Sequence, residues 1–338
     1  MKIVFRVDSS SQIGIGHLMR CLTLANEQND KNNEIFFVCR DLPGNFSSFI
    51  KYPVFLLPNS NSFQSNVLYL NWLGATQKED SEQTISVIPK NIDLLIIDSY
   101  ALDHNWHKKL RPFTKKIMVI DDLGDGTYDC DILLNQNLSA KALDYKDKVP
   151  YGCQLLLGCD FALLRPEFQI LRREALIKRK HTKVIKNILI SMGGADISNK
   201  TFEVLKEIPS YLDVVVVLSS QSQYNNSIID FARNKSNIKV IIDADNMAKL
   251  MFDADLAIGA GGSTSWERCC MGLPTLLYVS AENQNSNAEN LQQLGAVKIV
   301  DNLKINLETI LNNLNIWKSM SERAKNVCDG AGVKRIDI

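Results

Sequence analysis

The sequence has no excess of charge of either sign. Its 338 residues include 38 lysines and arginines and 38 aspartates and glutamates, so the formal net charge at pH 7 is zero. Proteins that bind nucleic acid or anionic membranes over a broad surface carry a surplus of basic residues. We therefore expect neither a nucleic acid nor a membrane as a partner.

Long apolar runs and metal-binding cysteine patterns are also missing. No run approaches the roughly 20 apolar residues of a membrane span, and Arg6 and Asp8 come too early for the core of a signal peptide. The eight cysteines form no Cys-x-x-Cys pair and show no cysteine–histidine spacing of a zinc site. Cysteines scattered in this way are typical of reduced thiols. The sequence therefore predicts a cytoplasmic protein without a metal or another cofactor.

The most informative stretch that is present is Gly-Ile-Gly-His at residues 14–17. It follows an apolar-rich run at 3–7, short enough for a first strand, and precedes apolar residues with helical spacing from Leu22 onward. Gly14 and Gly16 would let the backbone turn tightly and leave room for a ligand near the free N–H groups of the new helix. The pattern predicts a strand, a ligand-binding turn and a helix.

The position of His17 in the first helical turn favours a role as a general base. The positive end of the helix dipole disfavours a protonated imidazole, so we expect a neutral ring near pH 7 that is able to accept a proton. A helix cap or a surface histidine is the alternative. A dinucleotide cofactor is disfavoured, because its fingerprint needs a third glycine where Met19 stands.

Strand-like runs alternate with helical stretches along the first half, which predicts a parallel sheet covered on both faces. The predicted strands are 3–7, 35–38, 54–57, 92–98 and 117–120, with a short helix at 46–50 and a helical stretch at 63–88 that breaks near Gly74. Ligands bind beyond the carboxyl ends of such strands. We therefore expect His17, the run 98–100 and the pair Asp121 and Asp122 to share one crevice.

Two metal sites are alternatives in this half. His104 and His107 are three residues apart in a predicted helix, although no third ligand is apparent and a surface helix explains them equally well. The acidic cluster over 121–131 suggests a divalent cation, although a glycine-punctuated loop explains it more simply.

The composition changes over 166–186, where lysine and arginine crowd together without interleaved aromatic residues. Such a run is most often a solvated helix face. We therefore predict a first α/β domain over 1–165, a linker region over 166–186 and a second α/β domain over 187–338. Within the second domain, 305–327 is expected to form one or two closing helices, and 305–338 carries no motif that we can match.

The second half restarts the strand–helix alternation and has glycine-rich turns at strand ends. Its first strand, 187–191, leads to Gly193 and Gly194, and a later strand at 256–258 leads into Gly-Ala-Gly-Gly-Ser-Thr at 259–264. Backbone amides and hydroxyl groups in such turns hold phosphate. These turns predict a nucleotide site, with a structural glycine loop as the alternative.

Three polar residues are expected to complete this site. Glu267 follows the second turn by one helical turn, where a carboxylate can bind a ribose diol. A strand at 275–278 then brings Asn283 and Gln284 to the same sheet edge.

Two such domains resemble the GT-B fold of nucleotide-sugar glycosyltransferases, in which two doubly wound parallel-sheet α/β domains face a central cleft. The series Gly-Gly-Ser, Glu, Gly-Leu-Pro and Asn-Gln between 261 and 284 resembles the UDP-binding half of MurG-type enzymes. Residues 5–20 resemble, almost residue for residue, the start of the nucleotide-sugar hydrolases of pseudaminic acid biosynthesis. Further matching runs lie at 95–100, 130–135 and 162–168.

The resemblance implies a hydrolase that releases UDP from UDP-2,4-diacetamido-2,4,6-trideoxy-β-L-altropyranose. It also implies that His17 is catalytic, that Tyr100 lies near the sugar, and that Glu267 and Asn283 lie in the nucleotide and sugar site. The candidate substrate-binding residues are Gly14, Gly16, Arg20, Tyr100, Asn283 and Gln284, and the candidate nucleotide-binding residues are Gly193, Gly194, Gly262, Ser263 and Glu267.

We expect His17 to deprotonate a water beside the anomeric carbon while backbone amides stabilise the departing UDP. Closure of the two domains would exclude other water. The alternatives are a glycosyltransferase in which His17 activates a sugar hydroxyl, a nucleotide-sugar-binding protein without activity, and a sugar-nucleotide epimerase that leaks into hydrolysis. The oligomeric state is not predicted.

Overall fold

A computed structural model describes residues 1–59, 63–194 and 196–338, with Asn283 described in its backbone only. The chain divides into two compact units. Unit 1 comprises Met1–Leu163 and Val333–Ile338, and unit 2 comprises Leu164–Gly332.

Unit 1 is a parallel sheet with helices between its strands. Its described elements are β1 (Lys2–Val7), α1 (Gly16–Asn29), β2 (Glu34–Arg40), β3 (Val54–Leu57), α2 (Leu68–Leu73), α3 (Gln77–Val87), β4 (Ile92–Asp98), α4 (His104–Leu110), β5 (Thr114–Ile120), β6 (Ile132–Asn135) and β7 (Gln154–Leu157). The strand order is β3-β2-β1-β4-β5-β6-β7, and neighbouring strands run parallel.

Both faces of this sheet are buried, as its continuous apolar runs predict. Because successive side chains of a strand point to opposite faces, Ile3 and Phe5 enter one apolar core while Val4 enters another. Leu94 and Leu95 separate in the same way on β4. Short apolar runs therefore form the central strands of a doubly wound sheet.

The strand order reverses between β1 and β4, which are neighbours although α1, β2 and β3 lie between them in sequence. Connections on the two sides of such a reversal diverge to opposite faces, which opens a crevice at the carboxyl ends of the two strands. His17 follows β1, and Asp98 is the last residue of β4.

Unit 2 repeats this architecture. Its described elements are α5 (Pro166–His181), β8 (Asn187–Ser191), α6 (Lys200–Glu207), β9 (Asp213–Leu218), α7 (Asn225–Ala232), β10 (Ile238–Ile242), α8 (Met247–Asp253), β11 (Leu256–Ala260), α9 (Thr264–Cys270), β12 (Thr275–Tyr278), α10 (Asn285–Gln293), β13 (Val297–Ile299), α11 (Leu303–Leu311) and α12 (Leu314–Ala324). The order is β10-β9-β8-β11-β12-β13, again parallel, with the reversal between β8 and β11.

The predicted linker over 166–186 is wrong, because α5 occupies most of it and belongs to unit 2. The arginines of this helix are not all solvated. The Arg179 guanidinium is buried and donates to the carbonyl oxygens of Met251 and Ala254 at 2.6 and 2.5 Å, and Arg172 donates to that of Lys325 at 2.7 Å. These bonds satisfy carbonyl groups at the ends of other helices and fix α5 to the unit.

The predicted boundary of the second domain at 338 is also wrong. Val333 and Ile336 pack into the core of unit 1, so the last residues belong to the first unit. The closing helices predicted over 305–327 are confirmed as α11 and α12. The break near Gly74 is confirmed too, since Gly74 ends α2 with φ of 68°.

Three short strands, β6, β7 and β13, were not predicted from the sequence. The predicted helix at 46–50 is a single 3-10 turn, Ser47–Phe49. Within the described residues, we find no helix with the length and apolar character to cross a membrane.

Candidate active site

The turn after β1 places His17 as the sequence predicts. Gly14 has φ of +79°, a conformation that favours glycine, and its N–H donates to the carbonyl oxygen of Ser10 at 2.8 Å. Gly16 begins α1, and Ile15 before it offers no side-chain cap to the helix N-terminus. A Cβ at either glycine would meet no atom within 4 Å, so both glycines border open space. His17 follows in the first turn of the helix.

The imidazole of His17 is hydrogen-bonded to the carboxylate of Asp98. The Nδ1 and Oδ1 atoms are 2.6 Å apart, with the His17 side chain 15% exposed and that of Asp98 fully buried. His17 lies in the first turn of α1, which follows β1, and Asp98 is the last residue of the neighbouring strand β4, so the two meet as the predicted shared crevice requires.

Arg20, one helical turn after His17, holds the same carboxylate with two bonds. Its Nε and Nη2 donate to the Oδ2 and Oδ1 atoms of Asp98 at 2.6 and 2.7 Å. Burial alone would raise the pKa of Asp98, but Arg20 and then His17 outweigh it and hold the pKa well below its usual value. Asp98 is therefore ionised at neutral pH.

An ionised Asp98 determines which nitrogen of His17 carries the proton. A carboxylate without a proton only accepts hydrogen bonds, so Nδ1 of His17 must be the donor in the 2.6 Å contact. Arg20 Nη2 also lies 3.1 Å from this nitrogen, but a protonated Nδ1 has no lone pair to accept from it, and Nη2 donates to Asp98. In a neutral ring, Nε2 is then the nitrogen with the free lone pair, which is what a general base needs.

Tyr100 and Asp122 complete the cluster. The Tyr100 hydroxyl donates to Asp122 Oδ2 at 2.6 Å, and Arg20 Nη1 donates to Asp122 Oδ1 at 2.9 Å. Burial and the neighbouring carboxylate of Asp122 raise the pKa of Tyr100 well above its usual value, so the phenol stays neutral. Its ring meets the His17 ring edge to face, with 4.8 Å between centroids.

Arg20 was expected to bind substrate, but in the structure its guanidinium binds two carboxylates of the protein. Its guanidinium is largely buried and is shared between Asp98 and Asp122. All three guanidinium nitrogens therefore donate to carboxylates inside the protein. The geometry makes Arg20 a positioning residue for His17, and a direct contact with substrate stays a prediction.

A solvent-open hollow lies beside His17. Its lining combines polar residues with an aromatic and aliphatic wall and consists of Asp8, Ile13, His17, Tyr69, Trp72, Leu73, Asp98, Ser99, Tyr100 and Ala101. Tyr69 and Trp72, both on α2, meet edge to face at 5.0 Å, and Tyr69 lies 5.2 Å from Tyr100. The sequence did not single out Asp8, Tyr69 or Trp72. The three-residue spacing of the two aromatic residues on one helix was the available signal.

Several of the groups considered as metal ligands already have protein partners. Asp121 accepts hydrogen bonds from the Tyr145 hydroxyl at 2.7 Å and from the backbone N–H of Gly124 at 2.8 Å. Burial lowers the pKa of His107 to about 4, while Nδ1 of His104 contacts Thr127 Oγ1 at 2.9 Å. No group of three or more potential metal ligands occurs in the described ranges.

In unit 2, the glycine-rich turns lie at the ends of the two strands that flank the order reversal. Gly259 pairs with Ser191, and a Cβ at Gly259 would come within 2.4 Å of the Ser191 carbonyl oxygen and 2.5 Å of Arg268 Nη1. Only glycine fits this close approach. Gly193 and Gly194 have positive φ angles and border open space. Because β8 and β11 are paired neighbours, the turns that follow them are side by side.

Gln284 lies against the second turn, as predicted. Its side chain is 3.4 Å from the position of a Cβ on Gly261 and 4.0 Å from one on Gly262. Gln284 Oε1 accepts a hydrogen bond from the Ser280 N–H at 2.9 Å, which fixes the side chain. Ser263 directly precedes α9. Asn283 belongs to the same 3-10 turn, but its side chain lies outside the described part of the structure.

Glu267 lies in α9, close to the turn, and is mostly buried. Burial raises the pKa of Glu267 to about 7, although Arg165 and Arg268 counteract the shift. The nearest of these contacts is weak, with 3.8 Å between Arg165 Nη2 and Glu267 Oε1. A buried carboxylate with an incomplete partner set is suited to receiving a donor from a ligand.

Each unit thus collects one part of the predicted set. Unit 1 brings together Gly14, Gly16, His17, Arg20 and Tyr100. In unit 2, Gly193 and Gly194 follow β8, while Gly262, Ser263 and Glu267 follow the neighbouring strand β11. Gln284 lies against the turn after β11.

Known proteins are similar to this chain in sequence and in fold. Residues 187–336 match the Glycosyltransferase family 28 C-terminal domain. Over 296 residues the chain is 32% identical to the UDP-2,4-diacetamido-2,4,6-trideoxy-β-L-altropyranose hydrolase of Campylobacter jejuni subsp. jejuni serotype O:2, covering 87% of this chain and 97% of that protein.

A second relative and a solved structure extend the comparison. The chain is 27% identical over 248 residues to a Helicobacter pylori protein named pseudaminic acid cytidylyltransferase and UDP-2,4-diacetamido-2,4,6-trideoxy-β-L-altropyranose hydrolase, covering 70% of this chain and 43% of that one. The crystal structure of Acinetobacter baumannii MurG matches 99% of this chain and 97% of its own, with a TM-score of 0.63 and 15% identity.

The MurG likeness concerns the fold alone and confirms the GT-B-like class with its two doubly wound parallel-sheet domains. The Campylobacter relative matches over nearly its whole length. The chain therefore belongs to the family of UDP-2,4-diacetamido-2,4,6-trideoxy-β-L-altropyranose hydrolases.

Proposed function

We propose that this chain hydrolyses UDP-2,4-diacetamido-2,4,6-trideoxy-β-L-altropyranose in pseudaminic acid biosynthesis and releases UDP by water attack at the anomeric carbon. The observation that carries the mechanism is the 2.6 Å hydrogen bond between His17 Nδ1 and the ionised Asp98 carboxylate. It makes Nε2 of the neutral ring the proton acceptor. The family membership supplies the reaction to which this base is applied.

In the proposed step, His17 Nε2 takes a proton from a water molecule as the water oxygen bonds to C1 of the sugar. The bond between C1 and the phosphate oxygen breaks, and its electron pair leaves with UDP. The imidazolium that forms is stabilised by Asp98, while Arg20 keeps that carboxylate in place. The free sugar then carries the hydroxyl group that came from water.

Unit 2 is assigned the nucleotide. Backbone amides of Gly193, Gly194, Gly262 and Ser263 would stabilise the negative charge of the departing diphosphate. The Glu267 carboxylate would accept hydrogen bonds from the ribose hydroxyl groups. Gln284 lies against the same turn. We also assign Asn283 to the sugar and nucleotide, which follows the family resemblance.

Unit 1 is assigned the sugar. Gly14 and Gly16 leave open space at the start of α1, and the Tyr100 ring contacts the His17 ring. We therefore propose that the sugar lies against this turn and against Tyr100. We also propose a cytoplasmic location for the enzyme, which the irregular placement of its eight cysteines favours.

The proposal is tested by incubating the protein with UDP-2,4-diacetamido-2,4,6-trideoxy-β-L-altropyranose, UDP-N-acetylglucosamine and UDP-glucose and measuring free UDP. We expect release from the first compound without any acceptor. His17→Asn should lower its turnover by about 10² to 10⁴-fold, the contribution of a positioned base. His104→Asn is the matched control, because His104 contacts Thr127 and does not line the hollow.

Two other outcomes would replace the proposal. Release of UDP only after a sugar acceptor is added would identify a glycosyltransferase, the activity in the name of the domain that residues 187–336 match. Tight binding of the nucleotide sugar without any release of UDP would identify a binding protein.

A further inference from the structure

Asp8 lines the same hollow as the proposed base but has no part in the mechanism above. It directly follows β1, at the carboxyl end of the strand that leads to His17. Its side chain is only 5% exposed, and it lines the same hollow as His17, Tyr69 and Trp72. A buried carboxylate in this position needs partners, because removing a charge from water is costly.

The two carboxylate oxygens of Asp8 differ in their hydrogen bonds. Oδ1 accepts hydrogen bonds from Arg6 Nη1 and from the backbone N–H of Arg40, each at 2.6 Å. Oδ2 is buried and has no hydrogen-bond partner among the described residues. Most buried polar atoms in folded proteins are satisfied, so an exception at the edge of a hollow indicates a ligand or water.

The orientation of this carboxylate is fixed from both sides. Arg40 N belongs to the backbone of β2, and Arg6 is itself held by Asp80, which accepts from its Nε and Nη2 at 3.2 and 2.5 Å. Neither donor to Oδ1 is free to follow a ligand. Oδ2 is therefore presented at a set position, ready to accept one further hydrogen bond.

The aromatic residues of the hollow add a second requirement for its occupant. Tyr69 and Trp72 meet edge to face, and both lie within 6.4 Å of the Tyr100 ring. Aromatic faces of this kind pack well against methyl groups. A substituent with an N–H beside a methyl-bearing carbonyl can donate to Asp8 Oδ2 and pack its methyl group against the aromatic rings. A plain hydroxyl group can donate to Oδ2 but has no methyl group for the rings.

We propose that Asp8 contacts the sugar: its Oδ2 accepts a hydrogen bond from the N–H of an acylamino substituent whose methyl group packs against Tyr69 and Trp72. This inference rests on the proposed function, because it assumes that a nucleotide sugar places its ring beside His17. It makes Asp8 a substrate-contacting residue and the α2 pair a determinant of specificity for N-acylated amino sugars.

Asp8→Asn is a selective probe of this contact. The Arg6 and Arg40 donors still require an oxygen at the Oδ1 position, so the amide NH2 must replace Oδ2. A donor then faces the donor of the substrate. Titration calorimetry would be done in a His17→Asn background, with UDP-2,4-diacetamido-2,4,6-trideoxy-β-L-altropyranose and with UDP as the two ligands.

We expect Asp8→Asn to weaken binding of the nucleotide sugar by about 10- to 100-fold, the range for a hydrogen bond to a charged group. Binding of UDP alone should not change, since the nucleotide is assigned to unit 2. Trp72 lies outside the ion-pair network of Asp8. Trp72→Ala should also weaken binding of the nucleotide sugar and leave binding of UDP unchanged. If Asp8→Asn does not fold, Trp72→Ala decides the proposal.

Asp80→Asn is the matched control, because Asp80 shares Arg6 with Asp8 but does not line the hollow. The proposal would be overturned if Asp8→Asn or Trp72→Ala bound the nucleotide sugar within about twofold of the affinity of the His17→Asn background. It would also be overturned if Asp80→Asn lost as much nucleotide-sugar affinity as Asp8→Asn. The binding assay needs no turnover. A wild-type protein that fails to release UDP would therefore reject the proposed function while these affinities still decide the role of Asp8.

Discussion

His17 and Asp98 are 81 residues apart in sequence, yet their side chains meet at 2.6 Å where the strand order of unit 1 reverses. The bond joins the first turn of α1 to the last residue of β4. It converts a histidine of ambiguous protonation into one with an assigned tautomer.

Replacing Asp98 by asparagine should lower kcat by about 10² to 10⁴-fold, because a neutral amide no longer fixes the tautomer or stabilises the imidazolium. UDP affinity should be unchanged by calorimetry. Asp93→Asn is the control on the same strand: Asp93 accepts from the Lys2 N–H and from Lys115 Nζ at the opposite end of β4. Turnover of Asp98→Asn close to that of the wild type would show that the dyad is not used.

Arg20→Lys should reduce both activity and stability. A single ammonium group cannot reproduce the fork that holds Asp98 and Asp122, so the free energy of unfolding should fall by about 1 to 3 kcal/mol, and kcat should fall with it. Arg111→Lys alters a similar fork, on Asp129 and Asp131, away from the hollow. Denaturant unfolding and steady-state kinetics on both variants separate the effects. Equal loss of kcat in the two would contradict the positioning role.

The raised pKa of Glu267 predicts a pH-dependent stability. Its folded pKa of about 7 lies above the ordinary 4.5, so the folded protein retains a proton that the unfolded chain has released. Stability is thus lost as the pH rises from about 4.5 to about 7, and it levels off above that range. Glu267→Gln should remove this contribution to the melting temperature. A variant with the same pH profile as the wild type would argue against it.

UDP affinity should show the opposite pH trend. The ionised carboxylate accepts ribose hydroxyl groups better than the protonated acid does, so binding should strengthen between about pH 6 and pH 8 in the wild type. Glu267→Gln corrects for the titration of UDP itself, and Glu267→Ala should weaken binding by about 1.5 to 3 kcal/mol at pH 8. An unchanged affinity in Glu267→Ala would remove the residue from the site.

Activity should survive EDTA. Asp122 accepts from Arg20 and Tyr100, and Asp121 accepts from Tyr145 and two backbone N–H groups, so these two carboxylates of the acidic loop already have donors. The measurement is UDP release before and after chelation. Loss of activity that magnesium or manganese restores would bring the acidic loop over 121–131 into the mechanism.

The part of the site that follows local chemistry could be predicted from the sequence. Glycines before an apolar helix indicate the turn that carries His17, and the carboxyl ends of parallel strands place Asp98 and Tyr100 beside it. The glycine-rich turns of unit 2 follow from the same logic. In each case a few adjacent residues, together with a general rule of parallel sheets, determine the position.

The partners of charged groups could not be predicted, because they are set by tertiary packing. Arg20 reaches Asp98 and Asp122 across 78 and 102 residues of sequence, and no local pattern indicates either contact. Arg179 belongs to a run that looks solvated, yet it is buried against carbonyl oxygens more than 70 residues away. The return of Val333 to the first unit leaves no sequence signal either.

The central claim is that water attacks carbon with His17 as its base. Hydrolysis of UDP-2,4-diacetamido-2,4,6-trideoxy-β-L-altropyranose in ¹⁸O-labelled water, with mass spectrometry of both products, tests it most directly. Attack at the anomeric carbon predicts the label in the free sugar and unlabelled UDP. Label in the terminal phosphate of UDP would mean attack at phosphorus, and would contradict the mechanism even if the substrate were correct.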